Sequence, residues 1–270
     1  MMKHLEVRLG VRLFERMHGR LVATPDAQRL FTEIERVYSG VERVREVALG
    51  LHKGQGVRLS VVCSPSIGIS IAPSALAAFA ARFPSIDIDF SVQPVAPLLD
   101  DIAVNRCDLG ISIVPVNHPG IQQRYLADVP VVIALPDSAA RVKGKSLRWK
   151  DLNGQPYIGF AKDSVQGAQV NKLLEDAGVS PEVRLTTRVA IDALRLVQRG
   201  MGFAIVDALS AHAFEGQGVT IKKLPQTFAY AVTAHWSMTV PLSHHQLLFI
   251  EALQTELEKY RSMGVRIARG

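Results

Sequence analysis

From residue 57 almost to its end, the chain alternates short apolar runs of strand type with amphipathic stretches of helical period. This alternation limits its fold more than any other feature. "VRLSVVC" (57–63) reads as a buried strand and residues 73–83 as an amphipathic helix. "IDIDFSV" is a strand, 97–105 a helix and "DLGISIV" another strand, and "RYLADVPVVIALP" supplies two more extended stretches. A second unit follows: strand "PYIGF", helix 167–177, strand "EVRLTT", helix 191–199 and strand "GFAIVD". "AYAVTAHW" returns as a strand, and 243–260 closes with a helix. Such alternation predicts parallel sheets with helices on both faces. Two units in succession predict a bilobed α/β module with a cleft between its lobes.

The N-terminal part follows another pattern. Residues 3–9 look helical and stop at Gly10. "VRLFER" alternates like a short strand, with Val11, Leu13 and Phe14 inward and Arg12 and Arg16 outward. "MHGR" is a turn, and "LVAT" is the returning strand. Thr24-Pro25 then starts a helix, with Thr as N-cap and Pro at the first helical position. Along this helix Ala27, Leu30, Ile34, Val37, Val41, Val44, Ala48 and Leu51 recur at alternating steps of three and four. That is a heptad seam flanked by charge, on a helix about 37 Å long. A helix packed on its own domain would want a wider apolar face, so the seam predicts a dimer coil through Leu30, Ile34, Val37, Val41 and Val44. "HKGQG" (52–56) is the best boundary. The chain thus divides into 1–23, 24–56 and 57–270.

Charge separates the same parts. Residues 1–58 carry 11 Lys or Arg against 7 Asp or Glu, and the rest carry 20 against 18. Positive charge at the N-terminal end favours a polyanionic partner there. No run of about 18 uncharged apolar residues could cross a membrane. Residues 1–20 lack the apolar core of a secretory signal. Two cysteines, Cys63 and Cys107, imply no disulfide framework, and the expected compartment is the reducing cytoplasm.

In open α/β sheets ligands bind beyond the carboxyl ends of the strands. The first strand of the module ends in "CSPSIG", which places Ser64 and Ser66 at a turn into a helix. Two hydroxyls and free backbone N–H groups there suit a carboxylate or another anion. "GFAKDSVQG" puts Lys162 and Ser164 at the matching junction of the second unit, and Gln93 follows the second strand. Asp207 ends a buried strand and opens a helix. An Asp there serves as a cap, and in a cleft it also accepts from an ammonium. Gly200-x-Gly202 ends a helix before a strand, the reverse of the dinucleotide-binding order. His244-His245 has no third ligand nearby, and no Walker loop, nucleophile elbow or zinc-protease motif is present. No metal, cofactor or catalytic activity is expected.

These residues carry a resemblance. "LEVRLGVRLFERMHGRLVATPDA" resembles the wing and linker helix of LysR-type bacterial transcriptional regulators. "LAAFAARFPSIDIDF", "DLGISI", "VQRGMGFAIVD" and "LPQTFAYAVTAHW" resemble their inducer-binding domain, which has the periplasmic-binding-protein fold. "RLFERMHGRL" looks most like the branch that senses amino acids and opines. The resemblance implies an α/β, bilobed, periplasmic-binding-protein-like effector domain behind a wing remnant and a long linker helix. It implies an amino acid or opine as inducer, its α-carboxylate held near Ser64 and Ser66 and its amino group by Asp207. It also implies a homodimer, with a homotetramer as a further state, and DNA as partner through Arg12, Arg16 and Arg20. The match starts inside the winged domain: the first helix, the turn and most of the recognition helix have no counterpart. Weak, poorly specific DNA binding by this chain is therefore expected. The competing readings are a solute-binding protein of a transport system and a bilobed enzyme of porphobilinogen-deaminase type.

Overall fold

The computed structural model describes residues 2–17, 19–31, 33–34, 37–38, 40–41, 58–114, 118–139 and 147–268. Helix α1 (Met2–Leu9) stops at Gly10, whose φ of 69° lies in the left-handed region that glycine tolerates. Strands β1 (Phe14–Met17) and β2 (Arg20–Ala23) form an antiparallel hairpin. The Glu6 carboxylate accepts from the backbone N–H groups of Leu13 (2.7 Å) and Phe14 (3.1 Å), and so ties α1 to the hairpin. Leu13 is buried and Phe14 half-buried, as the alternation predicted. Val11, expected inside, is exposed: it lies in the bend after Gly10, before the ladder begins.

Thr24 caps the next helix. Its hydroxyl accepts from the Ala27 N–H (3.2 Å) and donates to the Arg12 carbonyl (2.8 Å). Such a cap is worth about 1 kcal/mol, and here it also fixes the helix to the hairpin. This helix, α2, opens at residue 25, and helical residues are described as far as 41. On its seam Ile34, Val37 and Val41 are 52%, 68% and 58% exposed, and Leu30 is half-buried. Val44 lies outside the described residues.

The first lobe runs β3 (Arg58–Cys63), α3 (Pro65–Ser70), α4 (Ala72–Arg82), β4 (Asp87–Val92), α5 (Val95–Ala103), β5 (Leu109–Ser112). Strand β6 (Ile121–Pro136) crosses into the second lobe, which holds β7 (Pro156–Phe160), α6 (Val165–Asp176), β8 (Glu182–Thr187), α7 (Ala190–Gln198), β9 (Ala204–Asp207), α8 (Ala208–His212) and β10 (Val219–Lys223). Strand β11 (Ala229–Ser237) returns, and α9 (His244–Glu258) and β12 (Arg266–Ile267) complete the first lobe.

The sheets are mixed rather than parallel. β3 is parallel to β4 and β5, and β7 to β8, as expected. β6, however, is antiparallel to β9, β10, β11 and β12, and β11 is antiparallel to β5. The two stretches expected within "RYLADVPVVIALP" are one strand of 16 residues. Pro130 suggests a break, but it lies where the neighbour on one side changes from β12, paired through Asp128, to β9, paired from Val131. No ladder bond needs its missing N–H there.

The first lobe's core lies where α4 and α9 cover the odd-numbered residues of β3 and β5, with Phe79 edge-on to Phe249 at 5.6 Å. On the opposite face Leu98 and Ile102 of α5 pack over Val62. This layering leaves the carboxyl ends of β3 and β9 at the junction of the lobes, where α3 meets α7 and α8.

Candidate functional site

At the end of β3, Pro65 occupies the first turn of α3, and the Ser64 N–H donates to the Ile111 carbonyl at 2.8 Å. The turn is thereby held against β5, and both serines face inward and are buried. Ser66 Oγ donates to Asp207 Oδ2 at 2.8 Å, across 141 residues of sequence and from one lobe to the other. Asp207 also caps α8, accepting from the Ser210 N–H (2.7 Å) and the Ser210 hydroxyl (2.9 Å). It is fully buried. Burial raises its pKa, and the hydrogen bonds from Ser210 and Ser66 oppose that rise. No cationic side chain among the described residues pairs with it.

The Ser64 hydroxyl, two residues before Ser66, is buried with no partner among the described residues. Two phenols share that condition, those of Tyr157 on β7 and Tyr230 on β11. Burial pushes both up, and the Asp207 and Tyr157 charges push Tyr230 further. A Cβ placed on Gly159 would lie 3.0 Å from Tyr157 Cε1, so the ring runs forward over that glycine toward the end of β7. Neither tyrosine is among the residues expected from sequence. The available signal was "YIG": a tyrosine followed two positions later, on the same face of a strand, by a residue with no side chain.

Of the six residues predicted for the ligand, the structure joins Ser66 to Asp207, with Ser64 in the same turn two residues before Ser66. The other three are engaged elsewhere or exposed. Gln93 Nε2 donates to Asp101 at 2.9 Å, toward α5. Ser164 caps α6, accepting from the Gly167 N–H at 3.0 Å and donating to the Ala161 carbonyl at 2.7 Å. Lys162 is exposed. Arg12, Arg16 and Arg20 are exposed around the hairpin.

A second buried polar pair lies beneath α5. The Ser112 hydroxyl donates to the Val114 carbonyl, so the 2.8 Å contact between Ser112 Oγ and His235 Nε2 has the imidazole as donor. His235 Nδ1 is then an acceptor with no partner among the described residues, and burial lowers the imidazole to about 4.

The model of the LysR substrate binding domain matches residues 52–258. The chain belongs to the LysR family of transcriptional regulators. Regulatory protein NocR of Agrobacterium tumefaciens (strain T37) is 27% identical over 241 residues, covering 89% of this chain and 79% of the relative. The transcriptional activator protein LysR of Escherichia coli (strain K12) is 27% identical over 251 residues, covering 93% and 79%. The octopine catabolism/uptake operon regulatory protein OccR of Rhizobium meliloti is 22% identical over 217 residues, covering 80% and 71%. Among solved structures, full-length CbnR complexed with its target DNA superposes with TM-score 0.68 at 20% identity, covering 94% of this chain and 88% of that one. The BenM effector binding domain with its effector benzoate gives TM-score 0.66 at 16% identity, covering 78% and 95%. This LysR-type chain is thus a regulator with an effector-binding domain, and its relatives are regulators rather than transport components or enzymes.

Proposed function

We propose that this LysR-type regulator senses a small zwitterion, an amino acid or a derivative such as an opine, at the junction of its two lobes. The observation that carries this reading is the buried Asp207, joined across the lobes to Ser66, two residues after a Ser64 hydroxyl that has no partner among the described residues. A buried carboxylate is costly unless something of opposite charge compensates it, and an ammonium does so. The ligand's carboxylate would then lie toward Ser64 and the start of α3. Gln93, Lys162 and Ser164 would reach a ligand only if its far end extends beyond this group. The chain would work in the cytoplasm as a dimer through α2, with Arg12, Arg16 and Arg20 against DNA phosphates. Calorimetry of the whole chain against amino acids and opines tests the ligand. Ser64→Ala and Asp207→Asn should each weaken binding by about 1–3 kcal/mol, the cost of a lost charge-assisted hydrogen bond. A ligand bound equally well by the wild type and by both variants would show that the site lies elsewhere.

A further inference from the structure

Tyr157 and Tyr230 are 1% and 2% exposed, and neither phenol has a hydrogen-bond partner among the described residues. Buried tyrosine hydroxyls ordinarily find one, because an unmade hydrogen bond in the interior costs stability. Their placement has a common target. The Tyr157 ring runs over Gly159 toward the end of β7. Tyr230 and Asp207 lie opposite Val129 and Val131, two residues apart on one face of β6, and the Asp207 and Tyr157 charges both push the Tyr230 phenol up. Phe203 lies 4.9 Å from the Tyr157 ring and Phe228 lies 5.5 Å from the Tyr230 ring, so the surroundings are aromatic.

A phenol can donate or accept, so the hydroxyls alone would suit an anion or a cation. Asp207 decides between them. An anion brought beside a buried carboxylate is repelled in a medium that screens poorly, whereas a cation is drawn in. Aromatic faces add to that preference.

Resting on the effector site proposed above, we propose that Tyr157 and Tyr230 form with Asp207 the subsite for the effector's cationic group, an ammonium or a guanidinium. The phenol oxygens accept its N–H groups, and the carboxylate balances its charge. These tyrosines set specificity by rejecting ligands that lack the cation.

Binding of free amino acids, of octopine, of N-acetylated amino acids and of benzoate to the whole chain tests this, with thermal stability measured in parallel. Amino acids or octopine should bind, and N-acetylated amino acids and benzoate should bind at least about tenfold more weakly. Tyr157→Phe and Tyr230→Phe should each weaken the cationic ligand about tenfold, while the unliganded variants melt at the wild-type temperature or above it. Phenols bonded within the protein would give the opposite stability result, a lower melting temperature, and that overturns the proposal. So does equal binding of free and N-acetylated amino acids, or unchanged affinity in both Phe variants. In those cases the effector site still stands if Ser64→Ala weakens binding. If no amino acid or opine binds at all, the proposed effector class and this subsite fail together.

Discussion

A buried histidine makes the effector domain sensitive to acid. His235 donates through Nε2 to Ser112, and its Nδ1, which has no partner among the described residues, would carry the second proton. Burial lowers the folded-state pKa from 6.5 to about 4. The unfolded chain therefore binds the proton first. Stability contributed by the neutral ring is complete above about pH 6.5 and drains away as pH falls toward 4, a loss on the order of 3 kcal/mol. Urea unfolding at a series of pH values checks this. His235→Gln keeps a donor for Ser112 but cannot titrate, so its profile should be flatter across that window; parallel profiles would place the acid sensitivity in other groups. Residue-scale chemistry was only partly legible beforehand. The strand-end, helix-start positions of Ser64, Ser66 and Asp207 were legible because such junctions are recognisable in sequence, whereas their role as ligand contacts stays a proposal. Tyr157 and Tyr230 read as ordinary strand residues, since only the fold reveals that a buried hydroxyl lacks a partner. Gln93 and Ser164 occupied the same kind of position, yet local partners at Asp101 and Gly167 had already claimed them.

The described apolar residues of α2 lie largely exposed. Ile34, Val37 and Val41 follow heptad spacing and are more than half exposed, as are Phe31 and Tyr38. Single exposed apolar residues are common, but a regular line of them calls for a covering surface, and a second copy of α2 supplies one with matching spacing. Val37→Glu combined with Val41→Glu would set like charges across that seam. Light scattering should then show loss of the association made through this helix, with the effector domain's circular dichroism unchanged. A wild-type chain that stays monomeric at micromolar concentration would refute the coil. Periodicity made most of the order of strands and helices readable, and Thr24-Pro25 marked the start of α2, because caps and hydrophobic spacing are local; α3 and α8 beyond their first residues, and β10 and β12, were missed, being too short to show a period. Strand direction was not readable. An apolar run looks the same whichever way it enters a sheet, and only the long-range pairing of β6 with β9 and β11 shows the crossing strand that joins the lobes.

At the scale of the whole molecule, the proposed effector site and α2 dimer would make ligand and DNA communicate through the junction of the lobes and the paired linker helices. A ligand that changes the geometry of the lobes shifts the population of DNA-competent dimers only as far as its affinity for the two arrangements differs. The DNA end of the proposed linkage would be electrostatic. Excess positive charge is concentrated before residue 59, and Arg12, Arg16 and Arg20 are exposed on and beside the hairpin. Each phosphate neutralised releases counterions, so binding should weaken steeply with salt, with a slope of about 0.9 per contact in a double-logarithmic plot. Replacing all three arginines with alanine should lower that slope by roughly 2 to 3 and weaken every duplex alike, because phosphate contacts carry no sequence information. The variant should still fold, since Thr24 bonds the backbone carbonyl of Arg12 and not its side chain. Fluorescence anisotropy with a promoter duplex and a scrambled one, at several salt concentrations, measures both quantities. An unchanged slope would remove these arginines from the DNA surface, and a loss confined to the promoter duplex would mean that they read bases instead.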